Sequence, residues 1–359
     1  GLTDANGDTF ADVARGYGLD PERIGTDPAR LQSIGSFIEL HVEQGIGLGY
    51  QIDSSPVTVN GINITNVEGE GCGTCSIAEA LKRSLNTSYY RLMLKLKHGA
   101  QDVADAAHKA GVADSFPGVE HTLSEDGKGG PPNNGVVLGQ YQSRALDMAS
   151  AYATLAASGE YHKPHFVQKV VNGDGQVLFD AASQDNSGEQ RIPKAVADNV
   201  TSAMQPIAGY SRGHNLAGGR PSASKTGTVQ LGDTGANRDA WMVGYTPSLS
   251  TAVWIGTEQG LPLTNVYGGS IYGSGLPADI WKDAMDGALK GTDNEDAAKA
   301  FVDWQLSRAA QMRAMQAAID ERQAMAPLDE ADRIEANKVP GCAAQVWLAV
   351  TAADGRLWF

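Results

Sequence analysis

Ser222-Ala223-Ser224-Lys225-Thr226-Gly227-Thr228-Val229 is the stretch that decides the fold. Two further segments with strand character follow it, Asp239–Tyr245 and Leu249–Gly256, and only Thr246-Pro247-Ser248 separates these two. Their β-branched and aromatic residues are typical of strands, and Pro-Ser is typical of a tight turn. The sequence therefore predicts three consecutive strands, the last two joined by a tight turn.

The first of these strands carries groups that suit an acidic substrate. Lys225 places a positive charge over a cleft, facing a substrate carboxylate, and Thr226 and Thr228 offer hydroxyl donors to the same group. Gly227 has no side chain, so an extended substrate has room to pair along the strand edge. Lys225-Thr226-Gly227 is therefore a candidate binding wall.

A second motif, Ser84-Leu85-Asn86, lies upstream of this wall. Apolar residues from Ile77 to Leu96 predict a helical run that is interrupted around Ser84, so the triplet sits where that run turns. In acyl-serine enzymes the serine of such a loop relays a proton to the leaving amine, and the asparagine holds the amide carbonyl of the substrate. Ser-x-Asn alone is a weak pattern, and its weight here comes from the Lys-Thr-Gly downstream.

Several other stretches extend the pattern over the middle of the chain. They are Ala80–Tyr90, Leu138–Tyr141, Met148–Ala153, Lys225–Thr228 and Trp241–Pro247. On these residues, positions 46–291 resemble the transpeptidase domain of class A penicillin-binding proteins of mycobacteria and their actinobacterial relatives. The resemblance implies an α/β (α+β) fold in which helices flank an antiparallel sheet.

The same resemblance implies a function and a site. The function is D,D-transpeptidation in peptidoglycan cross-linking, outside the cytoplasm, with stem peptides ending in D-Ala-D-Ala and β-lactam antibiotics as partners and no cofactor. The implied catalytic residues are Ser84, Asn86 and Lys225, and the implied substrate-binding residues are Thr226 and Thr228, with Gly227 between them.

The nucleophile motif of that family, Ser-x-x-Lys, is missing from its expected place before Ser84, where this chain reads Leu31 to Glu43. Across the whole chain only Ser222 has a lysine three positions later, Lys225. On a strand these two side chains point to opposite faces, so this lysine cannot activate that serine. Without an acylatable serine we expect no covalent turnover.

Residues 1–45 have a different character. Gly35–Gly45 alternates apolar and polar side chains from Ile38 onward, which predicts a half-buried strand. This stretch resembles metal-dependent amidohydrolases that cleave N-carbamoyl amino acids and allantoate, and the resemblance makes His41 a candidate metal ligand. The other ligands of a two-metal site are not recognisable, so a strand histidine without a metal is the simpler interpretation.

The C-terminal part divides again. Residues 292–325 predict an amphipathic linker helix. Residues 326–359 resemble a truncated SufE-type sulfur acceptor on Asn337–Cys342 and Gln345–Leu348, which makes Cys342 a possible persulfide carrier. The usual serine of that family is replaced by Ala344, and a hairpin with Asp354-Gly355 as its turn is predicted to follow.

Cys72 and Cys75 form a Cys-x-x-Cys pair with several possible roles. A zinc site needs a second pair or nearby histidines, and a redox motif needs a βαβ context, and neither follows. A loop disulfide or two inert thiols are the favoured interpretations.

Composition limits the remaining choices. A net charge of −14 argues against non-specific nucleic-acid binding, and no apolar run reaches the roughly 20 residues that span a bilayer.

Both flanks resemble cytosolic families, which predicts a chimeric chain. Two alternatives to an inactive transpeptidase stay open: a non-catalytic peptidoglycan-binding module, and a sulfur carrier acting through Cys342.

Overall fold

A five-stranded antiparallel sheet organises the chain. The computed structural model describes residues 47–165, 167–183, 188–232, 234–257, 259–291, 345–352 and 357–358. The sheet has the order β13-β12-β11-β10-β9. Its strands are β9 (Ala223–Gln230), β10 (Asn237–Thr246), β11 (Leu249–Gly256), β12 (Gln345–Ala352) and β13 (Leu357–Trp358). The three strands predicted from the sequence are confirmed, as is the tight turn at Pro247-Ser248.

Within the described residues, eight further short strands lie before the main sheet. They form four two-stranded pairs: β1 (Gln51–Asp53) with β4 (Thr74–Ser76), β2 (Val57–Val59) with β3 (Ile62–Ile64), β5 (Glu160–Tyr161) with β8 (Glu189–Gln190), and β6 (Lys169–Val171) with β7 (Val177–Asp180). The first two pairs precede the Ser84 motif along the chain and form the scaffold behind it.

Seven α-helices are present in the described residues. They are α1 (Ile77–Lys82), α2 (Asn86–Met93), α3 (Ala100–Ala110), α4 (Ala145–Ala156), α5 (Lys194–Met204), α6 (Ile207–Tyr210) and α7 (Leu276–Ala288). The helical run predicted from Ile77 onward is therefore broken between α1 and α2, as the sequence indicates.

Strand register decides what each face of the sheet meets. Val243 pairs with Lys225, and Met242 pairs with Thr226. Because side chains alternate along a strand, Val243 joins the large apolar core beneath α1–α4, whereas Met242 joins a second core around Trp281 of α7. Lys225 and Thr226 thus leave opposite faces of β9.

The helices clamp the sheet from both faces. Ser250 of β11 donates a 2.9 Å hydrogen bond to the Ala149 carbonyl of α4. On the other face the Trp281 indole of α7 donates to the Gly244 carbonyl at 3.3 Å. A Cβ at Gly244 would lie 2.6 Å from the Trp281 ring, so only glycine admits this close contact. Helices flanking an antiparallel sheet are the expected fold class.

The C-terminal strand extends the same sheet. β12 pairs with β11 along eight register positions, from Gly256↔Gln345 to Leu249↔Ala352. β13 then pairs with β12, so the predicted hairpin is present, although its turn at Asp354-Gly355 lies outside the described residues. The predicted strand with His41, the linker helix and Cys342 also lie outside them.

Cys72 and Cys75 are joined in a disulfide. This selects one of the interpretations left open by the sequence. The bridge joins Cys72 to Cys75 within β4 and closes a tight loop. Ser54 holds this loop, because its hydroxyl donates to the Gly73 carbonyl and accepts from the Cys72 amide, both at 2.9 Å. The disulfide therefore stiffens a loop that is bonded directly to the chain following β1.

Deleting residues 345–359 tests the contribution of the added strand. The deletion removes the hydrogen-bonding partner of β11 and leaves an unpaired edge that favours association between chains. We expect the melting temperature to fall by about 5 °C or more and oligomers to appear in size-exclusion chromatography with light scattering. Deleting residues 357–359 alone is the control, since β13 adds two register pairs. An unchanged melting temperature in a monomeric deletion variant would contradict the prediction.

Candidate functional site

Ser84 owes its position to the way α1 ends. The Leu85 amide donates to the Ala80 carbonyl and the Ser84 amide to the Leu81 carbonyl. This is the Schellman pattern, whose residue after the C-cap adopts the left-handed conformation, and Ser84 has φ +56°. Leu85 is buried while Ser84 is exposed. Leu85 therefore anchors the turn in the core, and Ser84 lies at the surface of the turn.

Lys225 meets this hydroxyl from the sheet. Its Nζ donates to Ser84 Oγ at 2.7 Å and to the Thr226 carbonyl at 2.8 Å. The two motifs found in the sequence are thus brought into direct contact across 141 positions of chain. The side chain of Lys225 is buried, with 1% of its surface exposed.

Burial sets the electrostatics of the lysine. Desolvation lowers the pKa of Lys225 to about 8. A group with this pKa is mostly charged at pH 7, and holding that charge inside the protein costs about 3 kcal/mol relative to an exposed lysine. The charge is consequently available to a nearby anion, and the proton is available to a nearby base, at ordinary pH.

Asn86 opens α2 directly after the turn. Its amide Nδ2 donates to the Thr65 carbonyl at 3.3 Å, and the side chain is half-buried. The next residue, Thr87, gives its backbone amide to Asn66 Oδ1 at 3.0 Å. Asn86 is therefore held from the segment that follows β3, a contact that the sequence pattern did not predict.

The threonines of β9 lie on the other side of the strand from Lys225. Thr226 and Thr228 are both half-buried. The Thr228 hydroxyl accepts a 3.0 Å hydrogen bond from the Gly273 amide, so its hydrogen stays available to a ligand. A Cβ at Gly273 would lie 2.4 Å from the Gly227 and Trp241 carbonyl oxygens. Residues 259–275 therefore reach β9 through a glycine contact, which sequence reasoning also missed.

The remaining candidates fall into two groups. Ser222 lies just before β9. The serine to which Lys225 donates its hydrogen bond is Ser84. His41 and Cys342 lie outside the described residues. Within the described part of the chain, no cluster of three or more His, Cys, Asp or Glu side chains could hold a metal ion, and no helix is long and apolar enough to cross a bilayer.

Comparison with known families identifies this arrangement. The family described as the penicillin binding protein transpeptidase domain matches residues 43–279, well over half of the chain. The chain belongs to this family. The match contains the Ser84 turn and the whole of β9, β10 and β11, so the sequence resemblance is confirmed for these elements.

Two curated members of the penicillin-binding protein family are closely similar. "Penicillin-binding protein 1A" of Mycolicibacterium smegmatis is 82% identical over 259 residues, which cover 72% of this chain and 33% of that protein. "Penicillin-binding protein 1A" of Mycobacterium tuberculosis is 80% identical over 255 residues, covering 71% of this chain and 31% of that protein. The chain therefore spans about a third of the length of these relatives.

Solved structures of penicillin-binding proteins agree with the fold. The PonA1 protein from Mycobacterium tuberculosis in complex with penicillin V has a TM-score of 0.71 and 76% identity, covering 74% of this chain and 71% of that one. The D,D-transpeptidase domain of a peptidoglycan glycosyltransferase from Eggerthella lenta has a TM-score of 0.55 at 18% identity, covering 82% of this chain and 70% of that one. The latter supports the fold alone.

A second family matches the C-terminal part of this penicillin-binding transpeptidase chain. The Fe-S metabolism associated domain SufE matches residues 302–359. The predicted SufE resemblance is therefore confirmed, and the match begins inside the segment predicted as a linker helix. The resemblance of residues 1–45 to amidohydrolases stays a prediction.

Replacing Gly273 with alanine tests the contact over β9. The added Cβ meets backbone oxygens that cannot move away easily, so residues 259–275 should shift from the strand and release the Thr228 hydroxyl. We expect a loss of about 2 kcal/mol or more in the free energy of unfolding, measured by denaturant titration. Gly287→Ala in α7 is the control, because nothing lies within 4 Å of its added Cβ. Equal stability of Gly273→Ala and wild type would contradict the contact.

The pKa of Lys225 predicts a pH dependence of ligand binding. As the pH rises through about 8, Lys225 loses its proton and its attraction for an anion disappears. The dissociation constant of benzylpenicillin, measured by calorimetry, should be constant below this pH and increase above it. The methyl ester of the same compound lacks the carboxylate and should show no such increase, and Lys225→Met should abolish it. A dissociation constant that stays flat to pH 10 would refute this role for the lysine.

Proposed function

We propose that this chain binds the carboxylate end of peptidoglycan stem peptides, and β-lactams that resemble it, without forming a covalent acyl-enzyme. The penicillin complex of the PonA1 protein and the family assignment support a β-lactam ligand. Transpeptidase domains of this family work outside the cytoplasmic membrane, where stem peptides ending in D-Ala-D-Ala are the substrate.

The observation that carries the proposal is the Lys225–Ser84 hydrogen bond of 2.7 Å. It places a buried cation directly behind the hydroxyl of Ser84, a residue that is exposed to solvent. A ligand carboxylate that approaches Ser84 from the solvent meets this hydroxyl first and the charge of the lysine behind it. Thr226 and Thr228 leave the opposite face of β9 from Lys225, and their role as further hydroxyl donors to the ligand stays a prediction from the sequence.

Asn86 has a separate role in the proposal. One hydrogen of its amide is used on the Thr65 carbonyl, so its second hydrogen and its oxygen remain for the amide bond of the ligand. An amide group held in this way orients a peptide bond beside Ser84. This is the orientation that a transpeptidase requires of its donor substrate.

Turnover needs a group that these residues do not supply. In the family scheme an acylated serine carries the donor while the second serine, here Ser84, passes a proton between the lysine and the departing amine. Ser84 and Lys225 fit the proton-passing role, because the lysine has a lowered pKa and holds the hydroxyl. Since no Ser-x-x-Lys occurs outside Ser222–Lys225, we propose that the chain binds donors and does not consume them.

The alternative of a sulfur carrier acting through Cys342 stays a prediction. The SufE match supports the assignment of that segment, and Cys342 lies outside the described residues. Loss of persulfide transfer from a cysteine desulfurase in Cys342→Ala would be the discriminating result.

A fluorescent penicillin tests the proposed function. We expect fluorescence anisotropy to report saturable, reversible binding that unlabelled penicillin displaces completely, and denaturing electrophoresis to show no labelled band. Lys225→Met should weaken binding about tenfold, the equivalent of roughly 1.4 kcal/mol, since it removes the buried charge. Lys169→Met is the matched control, because Lys169 lies on the exposed β6–β7 hairpin and pairs there with Asp180.

Two results would overturn the proposal in different ways. A covalent band that resists denaturation means that an acylating serine exists in this chain. Absence of saturable binding at millimolar penicillin means that the retained wall is insufficient for recognition. Both readouts come from the same purified protein.

A further inference from the structure

Asn66 occupies a position that neither the family motifs nor the sequence pattern assigns. It is buried, with 8% of its surface exposed, directly beside the turn that carries Ser84 and Asn86. Its side chain forms four hydrogen bonds. The Nδ2 group donates to the Ser54 carbonyl at 2.9 Å and the Glu70 carbonyl at 2.8 Å, and Oδ1 accepts from the Thr87 amide at 3.0 Å and the Thr87 hydroxyl at 3.1 Å.

The start of α2 explains why such a residue is needed. The first amides of a helix lack partners within the helix, and the N-cap side chain ordinarily satisfies one of them. Here the N-cap is Leu85, which forms no cap hydrogen bond, because its side chain is buried as the apolar anchor of the α1 turn. One residue cannot both anchor the turn and cap the helix, so Asn66 supplies the cap from 21 positions earlier in the chain.

We propose that Asn66 is a positioning residue for the ligand-binding turn: it caps α2 in place of Leu85 and thereby fixes where Ser84 and Asn86 face β9. Asn66 does not reach the ligand itself. It acts through Thr87, while its neighbour Thr65 holds the Asn86 side chain.

The network around Asn66 makes the position rigid. The single hydrogen of the Thr87 hydroxyl is shared between Asn66 Oδ1 and the Ser54 carbonyl, which lies at 2.8 Å, so Ser54, Asn66 and Thr87 form a closed triangle of buried polar groups. The Ser54 hydroxyl in turn donates one hydrogen bond to the loop closed by the disulfide and accepts another from it. A buried network with every partner satisfied specifies one arrangement, and losing one member leaves the others unpaired at a cost. The cap is therefore fixed from the disulfide loop as well as from α2.

This inference rests on the proposed function only in the binding measurement, which needs a ligand. Two properties of the free protein report on the turn directly: the exchange rate of the Thr87 amide hydrogen, and the titration of Lys225 followed by NMR of its side-chain carbon. If the turn loosens, water reaches Lys225 and its pKa rises from about 8 toward the 10.5 of an exposed lysine.

The experiment compares Asn66→Ala with Asn63→Ala. Asn63 is exposed on β3 and is a matched control, since its side chain meets Thr58 at the surface. We expect Asn66→Ala to weaken fluorescent-penicillin binding about tenfold, to raise the pKa of Lys225 and to speed exchange at Thr87, whereas Asn63→Ala leaves all three unchanged. A purely structural role predicts a lower melting temperature with an unchanged pKa of Lys225 and unchanged affinity, and that result overturns the proposal.

A second variant covers the case in which Asn66→Ala does not fold. Thr87→Val keeps the shape and the backbone amide and removes the hydroxyl that closes the triangle, so we expect a smaller change in the same direction in all three measurements. Unchanged values in folded Thr87→Val together with unfolded Asn66→Ala would count against a positioning role. If the wild type binds no penicillin, the proposed function fails, and the Lys225 titration and Thr87 exchange still decide this inference.

Discussion

The hydrogen bond between Lys225 and Ser84 is the contact on which the candidate site depends. One partner is a buried ammonium on a strand, and the other is the hydroxyl of Ser84, an exposed residue in the left-handed conformation between two helices. An ammonium without partners at this depth would be strongly unfavourable. The serine oxygen and the Thr226 carbonyl make it tolerable, and the lysine in return ties the helical half of the domain to the sheet.

A rigid element positions each partner of this hydrogen bond. The sheet is held between α4 and α7, so the position of Lys225 is set by strand register and by packing on both faces. The position of Ser84 is fixed by the end of α1 and the start of α2. Leu85 lies between these helices, where the turn requires an apolar anchor and α2 requires an N-cap. Because this leucine fills the core, the helix cap comes from Asn66 instead. The site is precise because neither half relies on a free loop.

The regions matched by two families share one sheet. β11 lies within the transpeptidase match and β12 within the SufE match, and the two strands pair along their full length. An open edge beside β11 would expose a row of unpaired backbone groups, and β12 satisfies them. A strand needs little sequence specificity to do so, because its hydrogen bonds come from the backbone. The C-terminal segment can therefore complete the architecture without contributing to the chemistry.

The sequence by itself determined the family, the three strands around Lys225 and the break in the helical run at Ser84, since strand propensity, turn residues and short motifs are local properties. It also showed that the acylating Ser-x-x-Lys is missing. Only the tertiary structure decided that Lys225 bonds to Ser84, that Gly273 reaches β9, that Cys72 and Cys75 are bridged and that Asn66 caps α2. These contacts join residues on separate elements, and Asn66 reads in the sequence as one more polar residue in a loop. Its partners are set by how the elements pack, which no local pattern encodes.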